Sequence, residues 1–191
     1  MFESMDLFIF TLGLTEAWRS TADGAVFPLA PGVAGGQMDG SRYEFVNFQT
    51  REVVEDLDRF LAMLHNINPR ARIILTVSPV PLIATYEPQH VLVASTYSKS
   101  VLRVASNEIC ARHSNCAYFP SYEIITGNYS RGAYFESDLR AITPGGIEHV
   151  MRLFLTHYSG EADSAAVNPD LLDELSRIND IVCDEEAIGS R

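Results

Sequence analysis

The apolar residues of the chain form short continuous runs separated by longer amphipathic stretches. The first run, Leu7–Leu12, ends at Gly13, the second covers Arg72–Val77, and a shorter third, Cys116–Phe119, is closed by Pro120. A continuous rather than alternating run predicts a strand buried on both faces of a parallel sheet. We therefore expect three parallel strands. The first of them opens the chain as a central strand, which needs a neighbour on each side.

The stretches between these runs carry apolar residues at helical spacing. Thr50 is positioned to cap a helix over residues 51–66, a second helix is predicted over 95–113, and Thr143-Pro144 begins a third that ends near residue 157. Residues 19–48 are rich in Gly and Pro and predict a structured loop or small hairpin, with a short strand at 43–48. Strands that alternate with helices predict a three-layer α/β/α fold with a parallel sheet and helices on both faces.

The chain is also expected to divide near residue 158. Residues 159–167 are small and polar, which predicts a linker, and Asn168-Pro169 begins a last helix with its own apolar stripe. We thus expect an α/β domain over residues 1–158, followed by a linker and a C-terminal helix over 159–191. That helix can pack on the domain or on a second subunit, so a homo-oligomer is compatible with the sequence.

Composition and charge narrow the class of function. Hydrophobic residues make up 47% of the chain, enough for a sizeable core, and Lys plus Arg (14) minus Asp plus Glu (25) gives a net charge of −11. Because so acidic a surface repels phosphate backbones and anionic lipids, we expect neither nucleic acid nor a membrane as partner. The three cysteines form no CxxC motif, and the first ten residues lack a basic region, so neither a disulfide framework nor a signal peptide is predicted. A cytoplasmic protein is the expectation.

Ligands of parallel sheets bind at the carboxyl ends of the strands, so the residues that follow each strand are the candidates for a site. After the first strand, Gly13 permits a tight turn, Thr15 and nearby N–H groups can donate to a developing oxyanion, and Glu16 lies beside Trp18, the chain's one tryptophan. The alternative is an ordinary turn in which Glu16 pairs with an arginine.

Further candidates follow the other strands. Ser78 lacks the flanking glycines of a nucleophile elbow and is expected to form a pocket wall. Tyr97 and Lys99, near the start of the second helix, can reach the strand ends, although adjacent Ser98 and Lys99 point about 100° apart and do not form a facing pair. No cofactor-binding loop or metal-ligand spacing occurs, so we expect no cofactor and no metal.

Candidates for acid–base chemistry lie nearer the C-terminus. Asp138 precedes the third helix, where an acid is well placed to orient a catalytic histidine. His149 is the nearest histidine and the candidate base. The alternative is that it is a structural histidine at the boundary of the apolar stripe.

Five blocks of sequence together resemble the GSCFA-domain family of bacterial proteins, which belongs with the SGNH/GDSL hydrolases. They cover roughly residues 5–158 and read FTLGLTEAW from Phe10, TVSPVP from Thr76, YSKSVLR from Tyr97, FPSYE from Phe119, and YFE with DLR from Tyr134. The resemblance implies an SGNH-like, flavodoxin-like sheet. It also implies that the family's Gly-Ser-Cys-Phe-Ala motif, whose Ser corresponds to the superfamily nucleophile, lies on a strand upstream of Met1, because the motif does not occur in these residues.

The chain departs from the superfamily pattern at two positions. Thr15 stands where the oxyanion-hole asparagine of the superfamily is expected, and Ala141 stands where Asp138 would be followed by the histidine of an Asp-x-x-His block. The resemblance implies a serine acyl-hydrolase or acyltransferase acting on a small-molecule or carbohydrate ester. Two alternatives stay open: a noncatalytic carbohydrate- or ligand-binding module, and an inactive fragment.

Overall fold

A computed structural model of the chain describes residues 2–27, 29–33 and 37–158, in two compact units divided after Pro120. The elements of the first unit are β1 (Leu7–Leu12), β2 (Glu16–Ser20), β3 (Val26–Phe27), β4 (Tyr43–Asn47), α1 (Thr50–Ile67), β5 (Arg72–Val77), α2 (Val91–Arg112) and β6 (Cys116–Tyr118). Those of the second are α3 (Ser121–Thr126), a 3₁₀ turn (Asn128–Ser130) and α4 (Pro144–Tyr158). The predicted linker and last helix lie outside the described residues.

The first unit is organised around a parallel sheet with strand order β1-β5-β6. The register runs from Leu7 opposite Arg72 to Leu12 opposite Val77, and Ile73 of β5 lies opposite Cys116 of β6. Parallel neighbours need a crossover connection, and α1 and α2 supply the two crossovers. The predicted α/β class with a parallel sheet is confirmed. All three predicted strands are present, and β5 between its two neighbours is buried from Ile73 onward.

The prediction that β1 is buried on both faces is wrong. In the part of the chain that is described, β1 pairs only with β5, and Ile9 and Phe10 are 48% and 37% exposed. Phe8 and Phe10 pack on Phe60 of α1, with ring centroids 5.5 and 6.0 Å away. A strand is covered only when both of its neighbours are in place, and β1 has one. No strand of the described residues pairs with its other edge, which presents backbone groups beside apolar side chains.

Both helices of the first unit begin earlier than their sequence pattern predicts. The cap of α1 is Gln49 rather than Thr50, and its N–H donates to the Glu52 carboxylate at 2.8 Å, as in a capping box. The cap of α2 is His90, whose Nδ1 accepts from the N–H of Leu92 at 3.2 Å. The sequence misplaced these starts because glutamine and histidine are uncommon caps.

A small antiparallel sheet, with order β3-β2-β4, follows the parallel one. Its strand β4 confirms the predicted strand at 43–48, whereas β2 was not predicted because its residues, Glu16–Ser20, do not alternate between apolar and polar. Trp18 of β2 is 8% exposed and packs edge-on against Phe45 and Tyr86, with centroid distances of 5.8 and 4.8 Å. Trp18 is thus the buried ring of this cluster, and Tyr86, which is 65% exposed, covers it from outside.

In the second unit, a tight hairpin precedes α4. An isolated bridge joins Phe135 to Ile142, and the predicted cap Thr143 accepts from the N–H of Gly146 at 3.2 Å. A Cβ on Gly146 would lie 2.9 Å from Cγ2 of Ile142 and 3.0 Å from Cβ of Tyr134. Glycine at this position therefore lets α4 pack closely on the hairpin.

Candidate functional site

The turn that follows β1 is anchored by two side chains of α2. The ammonium of Lys99 donates to the carbonyl oxygen of Gly13 at 2.8 Å, and Ser98 Oγ accepts from the N–H of Thr15 at 2.8 Å. Lys99, Ser98 and Thr15 are 3%, 1% and 1% exposed. Adjacent helical residues point in different directions, so Lys99 contacts Gly13 at the start of the turn and Ser98 contacts Thr15 at its end. The turn is thereby held rigid from within the protein.

The backbone conformation at position 13 does not require a glycine. Its φ does not lie in the left-handed region, and a Cβ added to it would meet no atom within 4 Å. The tight turn that the sequence ascribed to glycine is therefore not the reason for a glycine here. Because glycine has no side chain, the space above the turn is open.

Thr15 orients a second polar group, the amide of Asn47 on β4. The Thr15 hydroxyl donates to Asn47 Oδ1 at 2.7 Å, and Asn47 Nδ2 donates to the carboxylate of Glu87 at 3.0 Å. Both donors of Thr15, its N–H and its O–H, are thus engaged within the protein. The asparagine side chain carries two N–H bonds, and one of them is used by Glu87. The sequence did not point to Asn47, because its pairing opposite Glu16 arises from the unpredicted strand β2.

A cleft of about 410 Å³ opens beside this network and is lined by Asn47, Gln49, Glu87, Pro88, Gln89 and Tyr97. Three of these residues carry amides, one is a carboxylate, and none of the six is cationic. Tyr97 is 39% exposed. Amides both donate and accept hydrogen bonds, and an aromatic ring offers an apolar face. The lining is therefore suited to a neutral ligand rich in hydroxyl groups rather than to a phosphate or carboxylate.

Glu16 and Trp18 act within the small sheet. Glu16 accepts from the hydroxyl of Thr85 at 2.6 Å and from the N–H of Tyr86 at 3.2 Å, so its carboxylate holds the loop before α2 against β2. It does not pair with the nearby arginine of its own strand, since Arg19 bonds Glu44 at 2.7 Å.

Ser78 continues the ladder between β1 and β5. Its N–H donates to the carbonyl of Leu12 at 2.9 Å, and its Oγ accepts from the N–H of Val80 at 3.2 Å. The side chain thus shapes the proline-rich turn after β5, close to where β1 ends.

The two residues predicted for acid–base chemistry belong to the second unit. Asp138 is exposed, and its Oδ1 accepts from the N–H groups of Arg140 and Ala141 at 2.9 and 3.0 Å. These backbone donors lower the pKa of Asp138. The turn they stabilise places Leu139 in the left-handed region, at φ 60°.

His149 is held by a different partner. Its Nδ1 hydrogen-bonds the hydroxyl of Tyr134, and the two rings meet edge-on with centroids 5.4 Å apart. Among the described residues no hydrogen bond joins Asp138 to His149. The roles of orienting acid and base that the sequence assigns to them stay predictions.

Comparison with known proteins now identifies the family. The sequence model of the GSCFA family matches residues 1–154. The chain belongs to the GSCFA family. The match covers the anchored turn, the α2 residues that anchor it, Asn47 and the cleft, and in the second unit Asp138 and His149. No curated protein and no solved structure matches the chain.

Over residues 2–27, 29–33 and 37–158, no three metal-binding side chains are grouped so that they could hold an ion. None of the helices within those residues is long and apolar enough to cross a bilayer.

Proposed function

We propose that this GSCFA chain supplies the oxyanion and substrate-binding part of an SGNH-like serine acyl-hydrolase or acyltransferase site. The observation that carries the proposal is the Asn47 amide, held by Thr15 and Glu87 at the edge of a polar cleft. Acyl transfer passes through a tetrahedral intermediate with a negatively charged oxygen, and a preorganised amide N–H stabilises that charge. The superfamily has its oxyanion-hole asparagine at the position of Thr15, and we propose that Asn47 supplies the corresponding amide in this chain.

The turn at Gly13 adds rigidity to this arrangement. Donors contribute to catalysis when they need not reorganise during the reaction, and the bonds of Ser98 and Lys99 keep the turn in one conformation. Open space above Gly13 leaves room for an acyl group.

Neither serine of the site is placed as a nucleophile. Ser98 is 1% exposed and accepts from Thr15, while Ser78 accepts from Val80. We place the nucleophile on a strand that pairs with the open edge of β1. The carboxyl end of a parallel neighbour would reach the same edge of the sheet as the Gly13 turn, and the exposed apolar side chains of β1 favour such a neighbour.

The test uses a longer protein that includes residues upstream of Met1. We expect a serine-directed fluorophosphonate to label a serine in those added residues and short-chain aryl esters to be hydrolysed. Asn47→Ala should lower kcat by about 10²–10³-fold, the usual cost of one oxyanion donor. Asn107→Ala, an exposed asparagine of α2, is the control and should leave kcat unchanged. A folded longer protein that is neither labelled nor active on any ester would refute the proposal.

A second candidate function, noncatalytic binding of a neutral carbohydrate, is favoured by the cleft lining. Amides and a carboxylate suit vicinal hydroxyl groups, and the ring of Tyr97 suits the apolar face of a sugar. Calorimetric titration with neutral oligosaccharides tests it. Tyr97→Ala should abolish binding, whereas Tyr97→Phe, which keeps the ring, should retain it. Equal affinity in the two variants would exclude the cleft as the binding site. Binding of the oligosaccharide without ester hydrolysis in the longer protein would favour this function over hydrolysis.

A further inference from the structure

Two cysteines meet where α2 ends and β6 begins. The Sγ atoms of Cys110 and Cys116 lie 3.6 Å apart. The short connection between them is closed by backbone hydrogen bonds, from His113 to Ile109 at 3.0 Å and from Cys116 to His113 at 3.0 Å. The two thiols are therefore held together by the fold, on elements that the parallel sheet keeps in place.

The two thiols have different surroundings. Cys116 is buried, at 8% exposed, whereas Cys110 is partly accessible. Either thiol can donate to the other. The hydrogen bond with Cys116, together with the positive charge of Arg103, lowers the pKa of Cys110, while the bond to Cys110 and burial raise the pKa of Cys116. The guanidinium of Arg103 is itself held over the ring of Tyr118, 4.1 Å from its centroid.

This asymmetry resembles that of a reactive dithiol, in which the thiolate is the attacking species and an accessible cysteine carries it. The attacking member would be Cys110, since it is both the more accessible and the more acidic of the two. A disulfide bond requires the sulfurs to approach from 3.6 Å to about 2.05 Å. That change of roughly 1.5 Å is of the size that side-chain rotation can supply.

We propose that Cys110 and Cys116 form a reversible dithiol–disulfide site that reacts with small-molecule disulfides. The Cys110 thiolate attacks one sulfur of the small disulfide, whose S–S bond breaks, and the leaving thiolate takes a proton from water. Cys116 then loses its proton to water and attacks Cys110 Sγ, expelling the second thiolate, which is protonated in turn. Two electrons pass from the cysteines to the small disulfide, which becomes two thiols.

The order of these steps follows from the charges. While Cys110 is a thiolate, its negative charge and its bond to the Cys116 thiol hold the Cys116 proton in place. Once Cys110 is part of a mixed disulfide, that charge is gone, and Cys116 can ionise and complete the exchange. The site does not depend on the acyl-transfer proposal, because it uses none of the residues around the cleft.

The test is an exchange equilibrium on the 191-residue chain carrying Cys183→Ser, so that only the two cysteines remain. The protein is equilibrated with reduced and oxidised glutathione, quenched with acid and digested with trypsin. Cleavage after Arg103, Arg112 and Arg131 separates the two cysteines onto peptides 104–112 and 113–131. We expect the two peptides to appear joined, with a mass two hydrogens below their sum. The equilibrium constant should be at least about tenfold higher in native buffer than in urea.

Single variants test the order of the steps. Cys116→Ser should accumulate glutathione on Cys110, because the second displacement is missing. Cys110→Ser should acquire glutathione more slowly, because the remaining thiol is buried. The proposal is overturned if the peptides join no more readily in native buffer than in urea. It is also overturned if the disulfides link separate chains, or if Cys110→Ser acquires glutathione as fast as Cys116→Ser.

Discussion

Replacement of Ser98 by alanine tests whether this residue of α2 anchors the turn after β1. Ser98 Oγ accepts from the N–H of Thr15 at 2.8 Å, and both residues are 1% exposed. Without the hydroxyl, the N–H of Thr15 stays buried with no acceptor, which costs about 1–3 kcal/mol. Alanine recovers roughly 0.5 kcal/mol of helix propensity. The expected net loss in the free energy of unfolding is therefore about 0.5–2.5 kcal/mol.

The same helix offers a matched control in Ser100→Ala. Ser100 is exposed, and its hydroxyl donates to the carbonyl of Thr96 at 2.7 Å, a group that α2 already satisfies. Its removal should be neutral or stabilising by up to roughly 0.5 kcal/mol. Because the propensity gain is common to both variants, the difference between them isolates the bond to Thr15, at about 1–3 kcal/mol.

Urea unfolding followed by far-ultraviolet circular dichroism measures both variants, with the slope against urea expected to stay constant. If Ser98→Ala unfolds at the same urea concentration as Ser100→Ala, the Thr15 N–H has another acceptor or is solvated. Ser98 would then not anchor the turn, which would leave the bond from Lys99 to Gly13 as its contact with α2 described above, and the rigidity assigned to the bond at Thr15 would be lost.

Two further predictions concern stability away from the cleft. Gly146→Ala should lower the free energy of unfolding by up to about 2 kcal/mol. A Cβ 2.9 Å from a neighbouring side chain costs about 1–3 kcal/mol, and up to about 1 kcal/mol of helix propensity offsets it. Gly145→Ala, whose Cβ meets nothing within 4 Å, should instead stabilise α4 by up to about 1 kcal/mol; urea unfolding of both variants checks the opposite signs. The second prediction concerns acid. The hydrogen bond from His113 is the main cause that lowers the pKa of Asp58 in the folded protein. Its contribution is therefore present above the unfolded value of about 3.9 and lost as pH falls through the folded pKa. The urea midpoint should fall less steeply below about pH 5 in Asp58→Asn than in the unmodified protein, whereas Asp56→Asn should keep the original slope. An unchanged pH profile for Asp58→Asn would contradict the assignment.

The sequence by itself determined the order and type of the main elements. Each of the strands β1, β5 and β6 is a continuous apolar run, and α1, α2 and α4 are stretches with a local helical period. These signals depend only on neighbours in the chain, so they can be read without the fold. The same reading singled out Gly13, Thr15 and Lys99, because ligands of parallel sheets bind at the carboxyl ends of the strands, and the structure places Lys99 against the turn that contains the other two.

Tertiary structure alone decided how those residues are used. The bonds of Lys99 to Gly13 and of Ser98 to Thr15 join positions 86 and 83 residues apart, and Thr15 reaches Asn47 across 32 residues. No local pattern encodes such partners, since they arise where a helix and two sheets cross. The exposure of Ile9 and Phe10 could not be read from the apolar run of β1 for a related reason. An apolar run records that a strand favours burial, but whether it is buried depends on which other strand lies beside it.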